Sequence, residues 1–412
     1  MAVKFVFVLT VFLLKNYINA QEEEDDLMAI IKSTFKIGPD KDPLDFLVPT
    51  SAPVIDSEIK SSGQSCGLGK QCVREYLCSN GNVKKFGDVK LFNLRLGEDA
   101  ENECPFLYKC CSVEDTVSEP IIRPTKIASG CGRRNTDGVG FAIEGAMHNE
   151  AEFGEFPWML AILRGRNNKD DRREIYQCGG SLIHPQVALT TAHCVYGHEP
   201  SAFVVRAGEW ETNSKAEPFP DVNLNVQEIV IHPNYNIDNL HNDIALLFLV
   251  SPFELAAHIN TVCLPPAGFM FDFEKCFATG WGKDKFENGK YQNILKKIDL
   301  PVVPSFVCQD NLRKTRLGMF FELDKSFLCA GGESGKDTCE GDGGSPLSCP
   351  IKNSDDRFYQ AGIVAWGIGC GKENVPGVYV NVSNFREWID QELAVKHLAV
   401  GNTKDEFNVR SG

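Results

Sequence analysis

At 412 residues the chain is too long for one ordinary domain and predicts about two or three folded units. With 43% hydrophobic residues it can bury a large core, and a formal charge of -14 argues against nucleic acid as a partner and against attraction to anionic membrane. The sixteen cysteines, an even number, fit an oxidising extracellular setting better than the cytosol.

Residues 1–20 read as a secretory signal peptide. Lys4 is the basic flank, 5–14 is an apolar run, and Ala20 is a small residue at the cleavage edge. The run is too short to span a bilayer, and no other segment reaches spanning length, so no transmembrane segment is expected. The competing reading is an N-terminal anchor. Residues 21–65 form an acidic leader, with Glu22 to Asp26 as a solvated run and Pro43, Pro49 and Pro53 keeping the chain extended. Apolar spacing over 27–35 allows a short helix there.

Residues 66–111 hold Cys66, Cys72, Cys78, Cys104, Cys110 and Cys111, spaced C-x5-C-x5-C-x25-C-x5-C-C. So small a unit buries little apolar surface and needs disulfides. Adjacent Cys110 and Cys111 must reach different partners, but spacing alone leaves the connectivity open. No His lies among these cysteines to suggest metal. The pattern resembles the CLIP domain found ahead of arthropod serine proteases, which implies Cys66–Cys110, Cys72–Cys104 and Cys78–Cys111. The long gap carries Lys84, Lys85, Lys90 and Arg95. Arg95-Leu96 is the leading candidate for a processing cut by a trypsin-like enzyme; the alternative is a merely solvated Arg95.

Residues 112–144 read as a linker rich in Pro and Gly, with Cys131 alone in it. Residues 145–393 carry many short strand-like runs, such as Val187-Ala188-Leu189-Thr190 and Gly362-Ile363-Val364-Ala365-Trp366. Broken by Gly, Pro and Asn, they predict an all-β barrel or sandwich. Apolar spacing over 385–395 predicts one amphipathic helix, and 394–412 reads as a C-terminal tail.

Three motifs in this region carry chemistry. Leu189-Thr190-Thr191-Ala192-His193-Cys194, Asn242-Asp243-Ile244-Ala245-Leu246-Leu247 and Gly341-Asp342-Gly343-Gly344-Ser345-Pro346 resemble, in order and spacing, the histidine, aspartate and nucleophile motifs of chymotrypsin/trypsin-like serine proteases. The resemblance implies a double six-stranded β-barrel ending in a helix. It makes His193 the general base and Asp243 the carboxylate that orients it. The position of the nucleophilic Ser is Gly343, which has no hydroxyl to deprotonate. The triad positions are therefore a relic. Ser345 lies two residues beyond, several ångströms off in a reaction that tolerates about 1 Å.

The same resemblance implies the remaining bonds: Cys131–Cys263 as a tether across any cut, Cys178–Cys194, Cys276–Cys349, Cys308–Cys329 and Cys339–Cys370. It makes Asp337 the floor of a pocket for Arg or Lys, Gly367 and Gly377 its open walls, and Trp366 the aromatic beside it. This pocket is either still used or an inherited relic. Ala365 stands where a Ser is usual. Active members also release an Ile or Val terminus that pairs with Asp342. Here Ala142 precedes Ile143, Arg133 and Arg134 lie too far upstream, and 147–153 carries about two extra residues. Asp342 is thus expected to keep the arrangement of an uncut precursor, with an incompletely formed pocket and oxyanion hole.

Two further signals are weaker. Asn381-Val382-Ser383 is an N-glycosylation acceptor. Glu209 lies where some family members hold calcium, although a carboxylate loop of this kind is usually only solvated; no other cofactor or metal is expected.

The combination resembles the clip-domain serine protease homologues of arthropod haemolymph, including masquerade-like proteins and prophenoloxidase-activating cofactors. That implies a secreted, inactive cofactor in an innate-immune cascade, cut by an upstream clip protease. Its partners would be prophenoloxidase or its activating clip protease, in melanization. The rivals are an adhesion or pattern-recognition protein binding a microbial surface, and an active trypsin-like endopeptidase, which Gly343 opposes.

Overall fold

The computed structural model describes residues 65–74, 91–93, 104, 108–116, 130–139, 142–144 and 149–398, the last with gaps at 166–173, 214–216, 285–288 and 355. The signal peptide, most of the leader, Cys78 and Arg95-Leu96 lie outside the described residues.

The N-terminal unit is an antiparallel sheet of β1 (Ser65–Gly67), β2 (Lys70–Arg74) and, after the short β3 (Leu91–Asn93), β4 (Tyr108–Ser112). Successive side chains on a strand point to opposite faces, so Cys110 and Cys111 on β4 cannot share a partner. Cys110 bonds Cys66, and Cys72 bonds Cys104 although Cys110 lies directly opposite it in the ladder. Cys111 is also disulfide-bonded; its expected partner, Cys78, lies outside the described residues. β3 pairs in parallel with β5 (Ala142–Glu144), so the backbone around Ile143 is taken up in a strand.

The large domain is two closed antiparallel barrels. The first contains β6 (Met159–Gly165), β7 (Glu174–His184), β8 (Val187–Thr190), β9 (Phe203–Ala207), β10 (Val222–Ile231) and β11 (Ala245–Leu249). They close in the order β10-β11-β8-β7-β6-β9. The second contains β12 (Lys275–Gly280), β13 (Lys296–Val303), β14 (Phe327–Gly331), β15 (Pro346–Pro350), β16 (Phe358–Trp366) and β17 (Pro376–Asn381), in the order β12-β13-β14-β17-β16-β15. Closure leaves no free strand edge. Helix α1 (Ser305–Arg313) joins β13 to β14, and α2 (Arg386–Val395) follows the last strand.

The cores follow from the runs read in the sequence. Leu160, Ile162, Val205 and Leu247 fill the first barrel, and Ala278, Leu300, Leu347 and Tyr379 fill the second. A third cluster holds Trp158, Leu189, Ile363, Val378 and Ile389, joining both barrels to α2. The catalytic motifs sit at this junction, so packing between the barrels fixes their separation. The helix expected over 385–395 is α2, which ends at Val395; the Leu398 N–H donates to the Leu393 carbonyl, Leu398 packs partly against the core, and residues 399–412 lie outside the described residues.

Cys131–Cys263, Cys178–Cys194, Cys276–Cys349, Cys308–Cys329 and Cys339–Cys370 are all bonded, and no cysteine is free among the described residues.

Candidate active site

His193 lies on the turn that follows β8, tied to β7 by Cys178–Cys194. Asp243 comes from the turn before β11, where Leu240 and Asn242 adopt left-handed backbone angles of 59° and 56°. That turn brings the carboxylate under the ring. Asp243 Oδ1 accepts the His193 backbone N–H at 2.8 Å, and Oδ2 lies 2.6 Å from His193 Nδ1. Asp243 is fully buried and His193 is 3% exposed. With Nδ1–H donating to Asp243, the neutral ring presents its Nε2 lone pair on the opposite side, the geometry of a general base.

Gly343 lies opposite that lone pair. A Cβ built on Gly343 would sit 3.2 Å from His193 Nε2, close enough for a Ser at this position to carry its hydroxyl to the base. The base therefore faces a residue with no proton to give. The neighbouring glycines are fixed by space. Gly344 has a φ of +79°, and a Cβ there would meet the Gly179 carbonyl and Thr190 Oγ1 at 2.4 Å. The Gly179 N–H in turn donates to the Gly343 carbonyl at 2.9 Å, locking the loop to β7.

Ser345 is fully buried and makes no hydrogen bond to His193. It sits against β7, where a Cβ on Gly179 would be 2.0 Å from Ser345 Oγ. Sequence reasoning did not find its neighbour Tyr176, a fully buried phenol close to Ser345 and Asp342, because nothing local marks it.

Asp342 is buried beneath Gly280 and Gly282, where any Cβ would collide with its carboxylate. It accepts the N–H groups of Gly282 and Cys339, each at 2.9 Å, and pairs with no cation among the described residues. Burial pushes its pKa up to about 6, against the pull of those two donors. A cavity of about 290 Å³ lies alongside, lined in part by Asn149, Gly282, Lys297 and Thr338.

The residues that the resemblance assigns to the specificity pocket are brought together. His193, Asp337, Gly343, Trp366, Gly367 and Gly377 line a cavity of about 80 Å³. The Gly371 N–H donates to Asp337 Oδ2 at 3.1 Å, while Oδ1 is buried with no hydrogen-bond partner. Burial pushes Asp337 up to about 7, with the N–H groups of Gly371 and Thr338 opposing. An unpartnered carboxylate oxygen in a pocket favours a cationic ligand. Trp366 stands edge-on to Phe321 and Phe327.

Glu209 is not a solvated carboxylate. It is 8% exposed, and its carboxylate accepts Arg206 Nη1 at 3.0 Å and the Trp210 N–H at 3.2 Å. Arg206, itself buried, also pairs with Asp221 and Glu174 at 3.0 and 3.3 Å. The guanidinium supplies positive charge to one Glu209 oxygen, while the Glu217 carboxyl lies against Glu209 and is pushed up by burial and by that neighbouring charge. Arg134, half-buried, forms an ion pair with the buried Glu155, its guanidinium 4.2 Å from the centre of the Phe277 ring. At Asn381, the half-buried side chain accepts the buried Ser383 hydroxyl at 2.8 Å.

Comparison with known proteins agrees with this architecture. Residues 147–389 match the Trypsin family model, and residues 60–112 match the model described as serine protease Clip domain PPAF-2. The chain is 52% identical to phenoloxidase-activating factor 2 of Galleria mellonella over 288 residues, covering 68% of this chain and 94% of that protein. It is 38% identical to inactive CLIP domain-containing serine protease A8 of Anopheles gambiae over 352 residues, covering 84% and 94%. It is also 38% identical to protein masquerade of Drosophila melanogaster, over 65% of this chain and 24% of that protein. With a trypsin-type double barrel behind a CLIP unit, the chain belongs to the non-catalytic clip-domain serine protease homologues.

Proposed function

We infer that this protein is a secreted, catalytically inactive cofactor in a proteolytic innate-immune cascade, acting in prophenoloxidase activation and melanization. One observation carries the inactive half: the His193–Asp243 pair is assembled, but Gly343 stands opposite it with no hydroxyl. Loss of the nucleophile from a Ser-His-Asp triad costs on the order of a millionfold in turnover. The cofactor half rests on likeness to phenoloxidase-activating factor 2 and to homologues named inactive. Its partners are prophenoloxidase or the clip protease that activates it, in haemolymph. An upstream protease cuts this chain at Arg95-Leu96, which lies outside the described residues. The Cys131–Cys263 bond holds the linker to the barrels.

The test is reconstitution. Prophenoloxidase and its activating protease are mixed with and without this protein, pre-cut by an upstream clip protease. A large gain in phenoloxidase activity, with no hydrolysis of an Arg amide substrate, is expected. No gain would contradict the cofactor reading and favour adhesion to a microbial surface or a restraining role.

A further inference from the structure

The small sheet of β3 and β5 joins two parts of the chain that the sequence keeps far apart. β3 (Leu91–Asn93) comes from the long gap of the CLIP unit, and β5 (Ala142–Glu144) from the segment that leads into the barrels. They run in parallel, with Leu91 opposite Ala142, Phe92 opposite Ile143 and Asn93 opposite Glu144. β3 takes no part in the CLIP sheet, whose order is β1-β2-β4; among the described residues its strand partner is β5 alone.

The covalent frame decides how firmly this pair is held. β3 lies inside the loop closed by Cys72–Cys104, which spans a sequence separation of 32. So short a parallel pair makes few hydrogen bonds, and parallel pairing is slightly weaker per residue than antiparallel. It therefore depends on the closed loop to keep β3 near β5. Arg95-Leu96, outside the described residues, falls within the same loop, just past the end of β3. A cut there leaves the disulfide in place but opens the loop. β3 is then carried close to a new chain end and anchored from one side only, which raises the entropy lost on pairing.

On the other side, β5 leads directly to a fixed point. The Ala151 N–H donates to the Leu295 carbonyl at 2.8 Å, and Lys296 pairs with Glu150 at 2.9 Å. Asn149, next to them, lines the cavity beside Asp342. Ala142 offers no basic residue ahead of Ile143, so a trypsin-like cut cannot free this strand directly.

We propose that the β3–β5 pair is a latch, by which a cut after Arg95 in the CLIP gap releases the segment ahead of the barrels without any cut beside Ile143. This rests on the reading that the chain is processed at Arg95-Leu96.

The test is amide hydrogen exchange of the full chain, read by mass spectrometry on peptides covering 142–144, with β6 as an internal control. The chain is compared uncut and after limited digestion with trypsin, the new terminus at Leu96 being verified by mass. Exchange over 142–144 is expected to quicken about fivefold or more on cutting, with β6 unchanged. A Phe92→Pro/Asn93→Pro variant removes two successive N–H groups from β3, outside the CLIP sheet, and is expected to show the fast exchange while still uncut. A verified cut that leaves 142–144 as protected as before overturns the latch. So does an uncut Pro variant that exchanges like wild type. A chain that resists trypsin at Arg95 contradicts the processing reading instead, and the Pro variant then decides the latch by itself.

Discussion

At the scale of single residues, the cleft retains a base and its orienting carboxylate across from a backbone with no side chain. A Cβ on Gly343 meets the edge of the His193 ring at 3.2 Å and Cys178 Sγ at 3.9 Å, and no backbone blocks it. Gly343→Ser is therefore expected to gain reactivity toward a fluorophosphonate probe on the order of a hundredfold over wild type, the lower end of what a positioned base supplies. The gain should disappear when His193→Ala is added, and a Gly343→Ser protein that stays inert would show that the base is not positioned. Asp337 gives a pH signature. Its folded pKa, about 7, lies above the ordinary carboxylate value, so folding favours the neutral form. The stability it contributes is full below about pH 4 and is lost as pH rises through about 7. A cation needs the ionised form, so benzamidine affinity should rise between pH 6 and 8 by calorimetry and level off above. A flat profile would mean that Asp337 is already ionised at pH 6 or does not contact the ligand.

At the scale of elements, the junction of β9 and β10 is held by charge. Arg206 on β9 faces Glu209, Asp221 and Glu174, and it also donates to Asn223 on β10 at 2.8 Å. Burial pushes the carboxyls of Glu209 and Glu217 up, so this group would tolerate poorly the loss of Arg206, its one cation among the described residues. Arg206→Met keeps the length of the side chain but leaves buried carboxylates unpaired, and is expected to cost about 3–5 kcal/mol in urea unfolding. Millimolar calcium should not raise the wild-type melting temperature; a clear rise would mean that this loop binds the ion after all. Except for Glu209, three residues from Arg206, these contacts join residues well apart in the chain, up to 32 positions for Glu174, so local sequence could not display them. His193, Asp243, Asp337 and Gly343 were legible because each lies inside a short contiguous motif. Tyr176, Arg206 and the pairing of β3 with β5 were not. A buried phenol has no local signature, and a parallel pair joins strands from separate parts of the chain.

At the scale of the molecule, the short apolar runs between Gly, Pro and Asn were enough to indicate an all-β domain, because barrel strands are brief and buried on at least one face. Closure into two barrels depends on pairings such as β6 with β9 and β12 with β15, which no local pattern encodes. Apolar spacing was likewise enough to indicate α2, which packs against the barrels through Ile389 and Leu393. The non-catalytic reading belongs to this scale too. Both barrels and the interface between them are those of a trypsin-like domain, yet among the described residues no serine faces the base. The most direct measurement is fluorophosphonate labelling of the full-length protein, uncut and cut by an upstream clip protease, with the sites located by mass spectrometry. No labelled serine between residues 337 and 348 is the predicted result; a label on Ser345 that vanishes with His193→Ala would contradict the account.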